Sequence, residues 1–265
     1  MLEIKFEKTD KEDNVHSRLT LFRQVFQGMS DLEKEIVMRF ESSGIMIQTI
    51  DKMQVCFVSV FLSADMFSFY RNDNFELKIC VLLTELNGIL KKLEVSNEKD
   101  VVMISAENSP TELNICNNTK YSTIVYLVSL AKSSEGIFET PNDTDSKSSV
   151  TLTIDIFKKL ISNLSNFGDL VTFTVEKGTL LINQHGDMSA VDITLEDNDD
   201  SIQVSCSQPV SVMFSKKYLE LLNKMISGCD KVTVEFGDES SPLKFSVDLN
   251  KMGHVFMVVA PQQKE

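Results

Sequence analysis

The sequence predicts an α+β fold made of two similar halves, each carrying two helices among its strands. Apolar residues recur at helical spacing in four separate stretches and alternate at strand spacing between them. The order helix, strands, helix, strands occurs twice along the 265 residues. ILKKLEVSNEKDVVMISAENSP and LLNKMISGCDKVTVEFGDESSP match as helix, strand and closing Ser-Pro turn. Chance seldom reproduces three signals in one order, so an internal duplication is inferred.

The opening MLEIKFEKTDKED is charged and alternating, which makes it a first strand and not a signal peptide. Ser17–Met29 reads as a helix with Leu19, Phe22, Phe26 and Met29 on one face. A strand pair follows at Ser43–Asp51 and Gln54–Leu62. A second helix runs over Leu83–Leu93, with Leu86, Ile89, Leu90 and Leu93 aligned. Val101–Ala106 and Thr111–Cys116 close the half across the turn at Asn108-Ser-Pro110. The second half opens with a helix over Asp155–Phe167, striped by Phe157, Leu160, Ile161 and Leu164. Strands come next at Val171–Val175, Thr179–Gln184 and Ala190–Leu195. A helix at Lys216–Ile226 aligns Tyr218, Leu221, Leu222 and Met225, and strands Lys231–Phe236 and Leu243–Leu249 end the series. The domain division is therefore 1–128, a linker over 129–149, and 150–265. Ala131–Ser149 is rich in Ser, Asp, Asn and Thr and contains Pro141, the composition of an exposed connector. Its bulky apolar pair, Ile137-Phe138, either tacks the linker down or walls a binding pocket.

Composition narrows the function. Hydrophobic residues at 42% and charged residues at 25% describe a soluble globular chain, and no apolar run could span a bilayer, so no membrane partner is expected. Cys56, Cys80, Cys116, Cys206 and Cys229 are dispersed without a CxxC pair, which suits free thiols in cytosol or nucleus. His16, His185 and His254 lack metal-ligand spacing, and no Walker loop, nucleophile elbow or dinucleotide fingerprint occurs. The acidic run Glu196–Asp200 reads as a solvated turn. No catalytic residue, metal or cofactor is expected, and the chain reads as a non-enzyme.

A net charge of −13 disfavours an ordinary DNA binder, which would turn a basic surface to the phosphates. Yet the polar faces of all four helices favour cations: Arg18 and Arg23, Lys91 and Lys92, Lys158 and Lys159, then Lys216, Lys217 and Lys224. Few carboxylates join them, mainly Glu85, Asp155 and Glu220, while much of the acid sits in turns such as Glu94–Asp100 and Gly237–Glu239. Lysines on one helix can be simple solvation. The same bias on four helices of an acidic protein implies one basic surface on an acidic body.

Ser42-Ser-Gly-Ile-Met-Ile-Gln-Thr-Ile-Asp51 resembles the eukaryotic proliferating cell nuclear antigen family. So do Phe69-Tyr-Arg71, Leu90-Lys91, Leu164-Ser-Asn-Phe-Gly-Asp169, Lys217-Tyr-Leu219 and Met252-Gly-His254 through Ala260-Pro261, in order along the whole chain. The resemblance implies a sliding-clamp fold, two similar domains of antiparallel sheets and two helices each, with three subunits closing a homotrimeric ring. Double-stranded DNA would be encircled without sequence preference and held topologically. Arg18, Arg23, Lys91, Lys92, Lys159, Lys217 and Lys224 would face it, in a pore made less positive by Gly88, Ser162 and Asn166.

Ring closure would pair edge strands near Thr119–Tyr126 and Met188–Glu196, placing Tyr121, Ile124, Tyr126, Met188, Val191 and Ile193 at the trimer interface. Ordinary core packing is the competing reading of Ile124, Val125, Val191 and Ile193. A pocket for partner peptides would comprise Ile50, Gln54, Val55, Phe57, Ile137, Pro242, Val258, Val259, Ala260 and Pro261. DNA polymerase, an ATP-driven clamp loader, flap endonuclease and ligase would dock there through PIP-box peptides, in the nucleus. Departures from the family pattern are Lys52-Met-Gln54 in the pocket loop, Glu135 in the linker, Gln262-Gln263 in the tail, and Glu176 at the ubiquitin-acceptor position. A checkpoint-type heterotrimeric clamp subunit and a viral-type processivity factor that closes no ring are the alternatives, with a Cys or His hydrolase more remote.

Overall fold

The computed structural model describes residues 1–9, 14–74, 76–132, 138, 146–164, 168–186, 188–198, 200–226 and 228–262. Among the described residues the first half runs β1 (Leu2–Glu7), α1 (Val15–Met29), β2 (Glu35–Glu41), β3 (Gly44–Ile50), β4 (Cys56–Ser63), β5 (Phe69–Asn72), β6 (Leu77–Leu82), α2 (Leu83–Leu90), β7 (Val101–Ala106), β8 (Glu112–Asn118) and β9 (Thr123–Ser129). The second half runs β10 (Ser148–Thr153), α3 (Ile154–Leu164), β11 (Leu170–Glu176), β12 (Thr179–His185), β13 (Ala190–Glu196), β14 (Ile202–Cys206), β15 (Val210–Ser215), α4 (Lys217–Met225), β16 (Lys231–Phe236), β17 (Leu243–Asp248) and β18 (Gly253–Val259).

The duplication read in the sequence is complete at the level of topology. Each half has the same series of strands with helices after the first and the sixth, so every strand has a counterpart nine places on. Strand order β5-β1-β7-β8-β9 in one sheet recurs as β14-β10-β16-β17-β18, and β6-β2-β3-β4 recurs as β15-β11-β12-β13. The halves are welded by β4 and β18, which pair antiparallel from Cys56↔Val259 to Leu62↔Gly253 and make one nine-stranded sheet.

Each helix buries the stripe that the sequence displays. Leu19, Phe22, Phe26 and Met29 of α1, and Phe157, Leu160, Ile161 and Leu164 of α3, lie in the core. Asn14 caps α1 by accepting the Ser17 N–H at 3.2 Å. The helices form one row, with α2 against α1, α1 against α4 and α4 against α3. Gly28 permits the central contact, because a Cβ there would collide with Met225 of α4. The row therefore crosses from one half to the other without a break.

Several bounds differ from the sequence reading. The first edge strand occupies Thr123–Ser129 and not Thr119–Tyr126, because Thr119, Tyr121 and Ser122 form a turn held by the Thr119 and Ser122 groups. The second helix stops at Leu90, where the Lys91 and Lys92 N–H groups turn back to Asn87 and Ile89. Strands β2, β5, β6, β10, β14, β15 and β18 are additions to the series read from the sequence.

Candidate functional site

On the helix row the predicted cations fall into three kinds. Arg18 and Arg23 turn inward: Arg18 donates to Met66 O at 3.2 Å and Glu7 O at 3.4 Å, and Arg23 donates to Leu93 O. Burial lowers the Arg23 pKa against the pull of Glu94. Lys217 and Lys224 of α4 are exposed but countered, Lys217 Nζ lying 3.8 Å from Asp51 Oδ2 and Lys224 Nζ 2.6 Å from Asp31 Oδ2. Lys91 and Lys159 are exposed and, among the described residues, have no carboxylate within ion-pair distance. Lys92 is exposed with its ammonium 5.9 Å from the Tyr126 ring centre.

Lys216 departs from the reading as a polar-face lysine. It is only 8% exposed, donates to Leu164 O at 3.3 Å and pairs with Glu220, so it ties α4 to the end of α3. Lys158 is half-buried.

The pocket is a hollow of about 500 Å³ across β3, β4 and β18 and the approach to β17. Ile50, Gln54, Val55, Phe57, Pro242, Val258 and Ala260 line it, joined by Asp51, Lys52 and Phe138. Val259 does not line it: neighbouring strand residues face opposite sides, so Val258 meets the hollow and Val259 is fully buried. Pro261 is half-buried beside the hollow, and Ile137 lies outside the described residues. Phe138, the other half of the apolar pair, lines the hollow, although the pocket expected from the resemblance included Ile137 and not Phe138.

One side chain builds the pocket loop. Asp51 Oδ1 accepts the Val55 and Cys56 N–H groups at 2.8 Å each, and the Asp51 carbonyl accepts from Gln54 N–H at 2.8 Å. These bonds hold Gln54 at φ 56°, a left-handed conformation that costs a non-glycine residue about 1 kcal/mol. Asp51 Oδ2 reaches the other half and accepts from Tyr218 OH at 2.8 Å. Burial, then the hydrogen bond to Asp51 and the charge of Asp51, push the Tyr218 pKa up.

Six strands end a sheet among the described residues, and two of them, β9 and β13, are the edges expected to close a ring. β9 ends the five-stranded sheet and β13 the four-stranded one, with no partner on their outer sides among the described residues. Tyr121, Ile124, Val125 and Leu127 are exposed at the first edge, and Met188 is 97% exposed beside the second. Val191 and Ile193 pack partly against the core, as the packing reading has it, whereas Ile124 and Val125 do not; Tyr126 also packs partly against the core. Leu127 was missed; alternation with the buried Val128 is its signal.

Among the described residues no group of three or more His, Cys, Asp or Glu could hold a metal ion, and no helix is long and apolar enough to cross a membrane.

Residues 1–135 match the family described as proliferating cell nuclear antigen, N-terminal domain, and residues 141–262 match its C-terminal domain. The chain belongs to the proliferating cell nuclear antigen family. It is 25% identical to the proliferating cell nuclear antigen of Saccharomyces cerevisiae over 99% of this chain and 98% of the relative. It is 26% identical to that of Chaetomium thermophilum, over 92% and 95%. Proliferating cell nuclear antigen 2 of Plasmodium falciparum is 24% identical over 91% and 95%. The chain is a DNA sliding clamp, a processivity factor of DNA replication, and these matches do not favour the checkpoint or viral alternatives. Its family consists of non-enzymatic, DNA-encircling homotrimers that bind PIP-box partners.

Proposed function

We propose that three copies of this clamp close head to tail by repeating between subunits the joint that already exists within each one. The observation that carries this reading is the nine-strand offset. β4 pairs with β18 inside the chain, and their counterparts are β13 and β9, each of which ends its sheet without an outer partner among the described residues. Pairing β13 of one subunit with β9 of the next satisfies both edges with the geometry of the internal joint. Tyr121, Ile124 and Met188 are then covered, with Tyr126, Val191 and Ile193 beneath them.

The same operation sets α3 beside the next subunit's α2 and makes the helix row continuous around the inner wall. Lys91, Lys92, Lys159, Lys217 and Lys224, with Arg18 and Arg23 behind them, meet the duplex backbone. Contacts are weak and independent of sequence, so the ring slides and topology retains it. The chain has no catalytic role and works in the nucleus. The chain divides into 1–128, a connector over 129–149, and 150–265, and Phe138 of the connector lines the pocket.

The hollow around Val55, Phe57, Val258 and Phe138 takes the aliphatic and aromatic side chains of PIP-box peptides from polymerase, clamp loader, flap endonuclease and ligase. Loading onto nicked circular DNA and then linearising the circle tests the whole proposal. A topologically held ring runs off the free ends; retention of the protein on linear DNA overturns it.

A further inference from the structure

The two cations of α4 differ from Lys91 and Lys92 after α2 and from Lys159 of α3 in one respect: among the described residues, each is held by a carboxylate from the first half of the chain. Lys217 faces Asp51 at 3.8 Å and Lys224 faces Asp31 at 2.6 Å. Asp31 lies in the turn that follows α1, where the Asp31 N–H bonds to Gly28 O, and Asp51 follows β3. Both pairs border one hollow of about 420 Å³ at the seam between the halves, lined by Asp31, Asp51 and Glu220 and by Lys52, Lys217 and Lys224. Three carboxylates against three ammonium groups leave that part of the row neutral.

We propose that Asp31 is an internal counterion that rations the DNA contact of Lys224, so that the clamp touches the duplex mainly through its uncountered lysines. The argument is one of competition. A phosphate reaching Lys224 must displace the Asp31 carboxylate and approach its negative charge. Both Lys224 and Asp31 side chains are about half exposed, at 51% and 44%. Ion pairs so exposed are weak, so the competition is close and the carboxylate reduces the contact without abolishing it. Asp51 does the same for Lys217, but it also builds the pocket loop and serves as a poor probe. The Asp31 side chain has no comparable second role, since it bonds to Lys224 alone among the described residues. For a ring that must slide, reduced contact lowers the friction of each step while closure preserves retention. This inference rests on the reading that α4 faces DNA.

The test is binding of a fluorescein-labelled linear duplex by the full chain, followed by anisotropy over a series of salt concentrations. Asp31→Asn should bind about two- to fivefold tighter at low salt. Its dependence of log K on log salt should steepen by up to about 0.9 for each Lys224 that gains a phosphate. Lys224→Ala should bind more weakly than wild type, and adding Asp31→Asn to it should recover little. Asp31→Ser supplies a second neutral variant and should repeat the gain. Unchanged affinity and slope in both neutral variants, with Lys224→Ala weakened, overturns the counterion proposal and leaves the DNA face standing. If Lys224→Ala is itself unchanged, the assignment of α4 to DNA fails and the proposal falls with it.

Discussion

The phenol of Tyr218 donates a 2.8 Å hydrogen bond to Oδ2 of Asp51, joining helix α4 of the second half to the pocket loop of the first. Both residues are buried, at 2% and 6% exposure, and the other oxygen of the same carboxylate fixes Val55 and Cys56. One acidic side chain therefore sets the shape of the peptide pocket and anchors the helix proposed to face DNA. Tyr218→Phe removes the donor and leaves a buried charge short of a partner. The loss is expected to be about 1.5–3 kcal/mol, the range for a hydrogen bond to a charged group. Urea unfolding at fixed protein concentration measures it, and peptide affinity should fall in the same variant because the Val55 loop loosens.

Phe138 offers a cleaner probe of the pocket, since it is half-buried and absent from the main core. Phe138→Ala should weaken a PIP-box peptide roughly tenfold, as loss of an aromatic wall costs about 1–2 kcal/mol at a binding site. Stability should stay within about 0.5 kcal/mol of wild type. Fluorescence titration with a labelled peptide decides it, and unchanged affinity would remove Phe138 from the pocket.

What the sequence displayed and what it hid follow from the range of the forces involved. The apolar stripes of α1 and α3 are local, so both helices were legible to within a few residues. The β4–β18 joint links Cys56–Leu62 to Gly253–Val259, and no periodicity reports a partner so far along the chain. Lys216 looked like any lysine at a helix start; only the position of Leu164 O, from another helix, turns it inward. Val259 was included with Val258 because the family resemblance gives a segment, whereas the strand pleat gives alternate residues. The counterions Asp31 and Asp51 were hidden for a similar reason. Each reaches its lysine across the seam between the halves.

Thiol chemistry should separate the cysteines. Burial raises the Cys56 pKa, with the Asp51 charge adding, and burial pushes Cys229 up to about 12. At pH 8 the nucleophilic thiolate is then a minute fraction at both sites. Native protein treated with iodoacetamide should leave Cys56 and Cys229 unmodified under conditions that label all five cysteines in urea. Peptide mass mapping reads the result, and rapid native labelling of Cys56 would mean that the β3–β4 loop opens readily.

Leu127 tests the closure rule directly. It is 59% exposed on the open edge β9, so it adds little to the fold of a single chain. In a ring joined through β9 and β13 it becomes buried, and a carboxylate there would lose its water without gaining a partner. Each uncompensated buried charge costs several kcal/mol, and a closed trimer contains three such joints, so the penalty applies three times over. Leu127→Asp should therefore sediment as a monomer at concentrations where wild type is a trimer, with an unchanged far-ultraviolet circular dichroism spectrum. It should also fail to stay on nicked circular DNA. A variant that still forms trimers would mean that the subunits meet somewhere other than at these two edges, and the internal joint would lose its standing as the template for the ring.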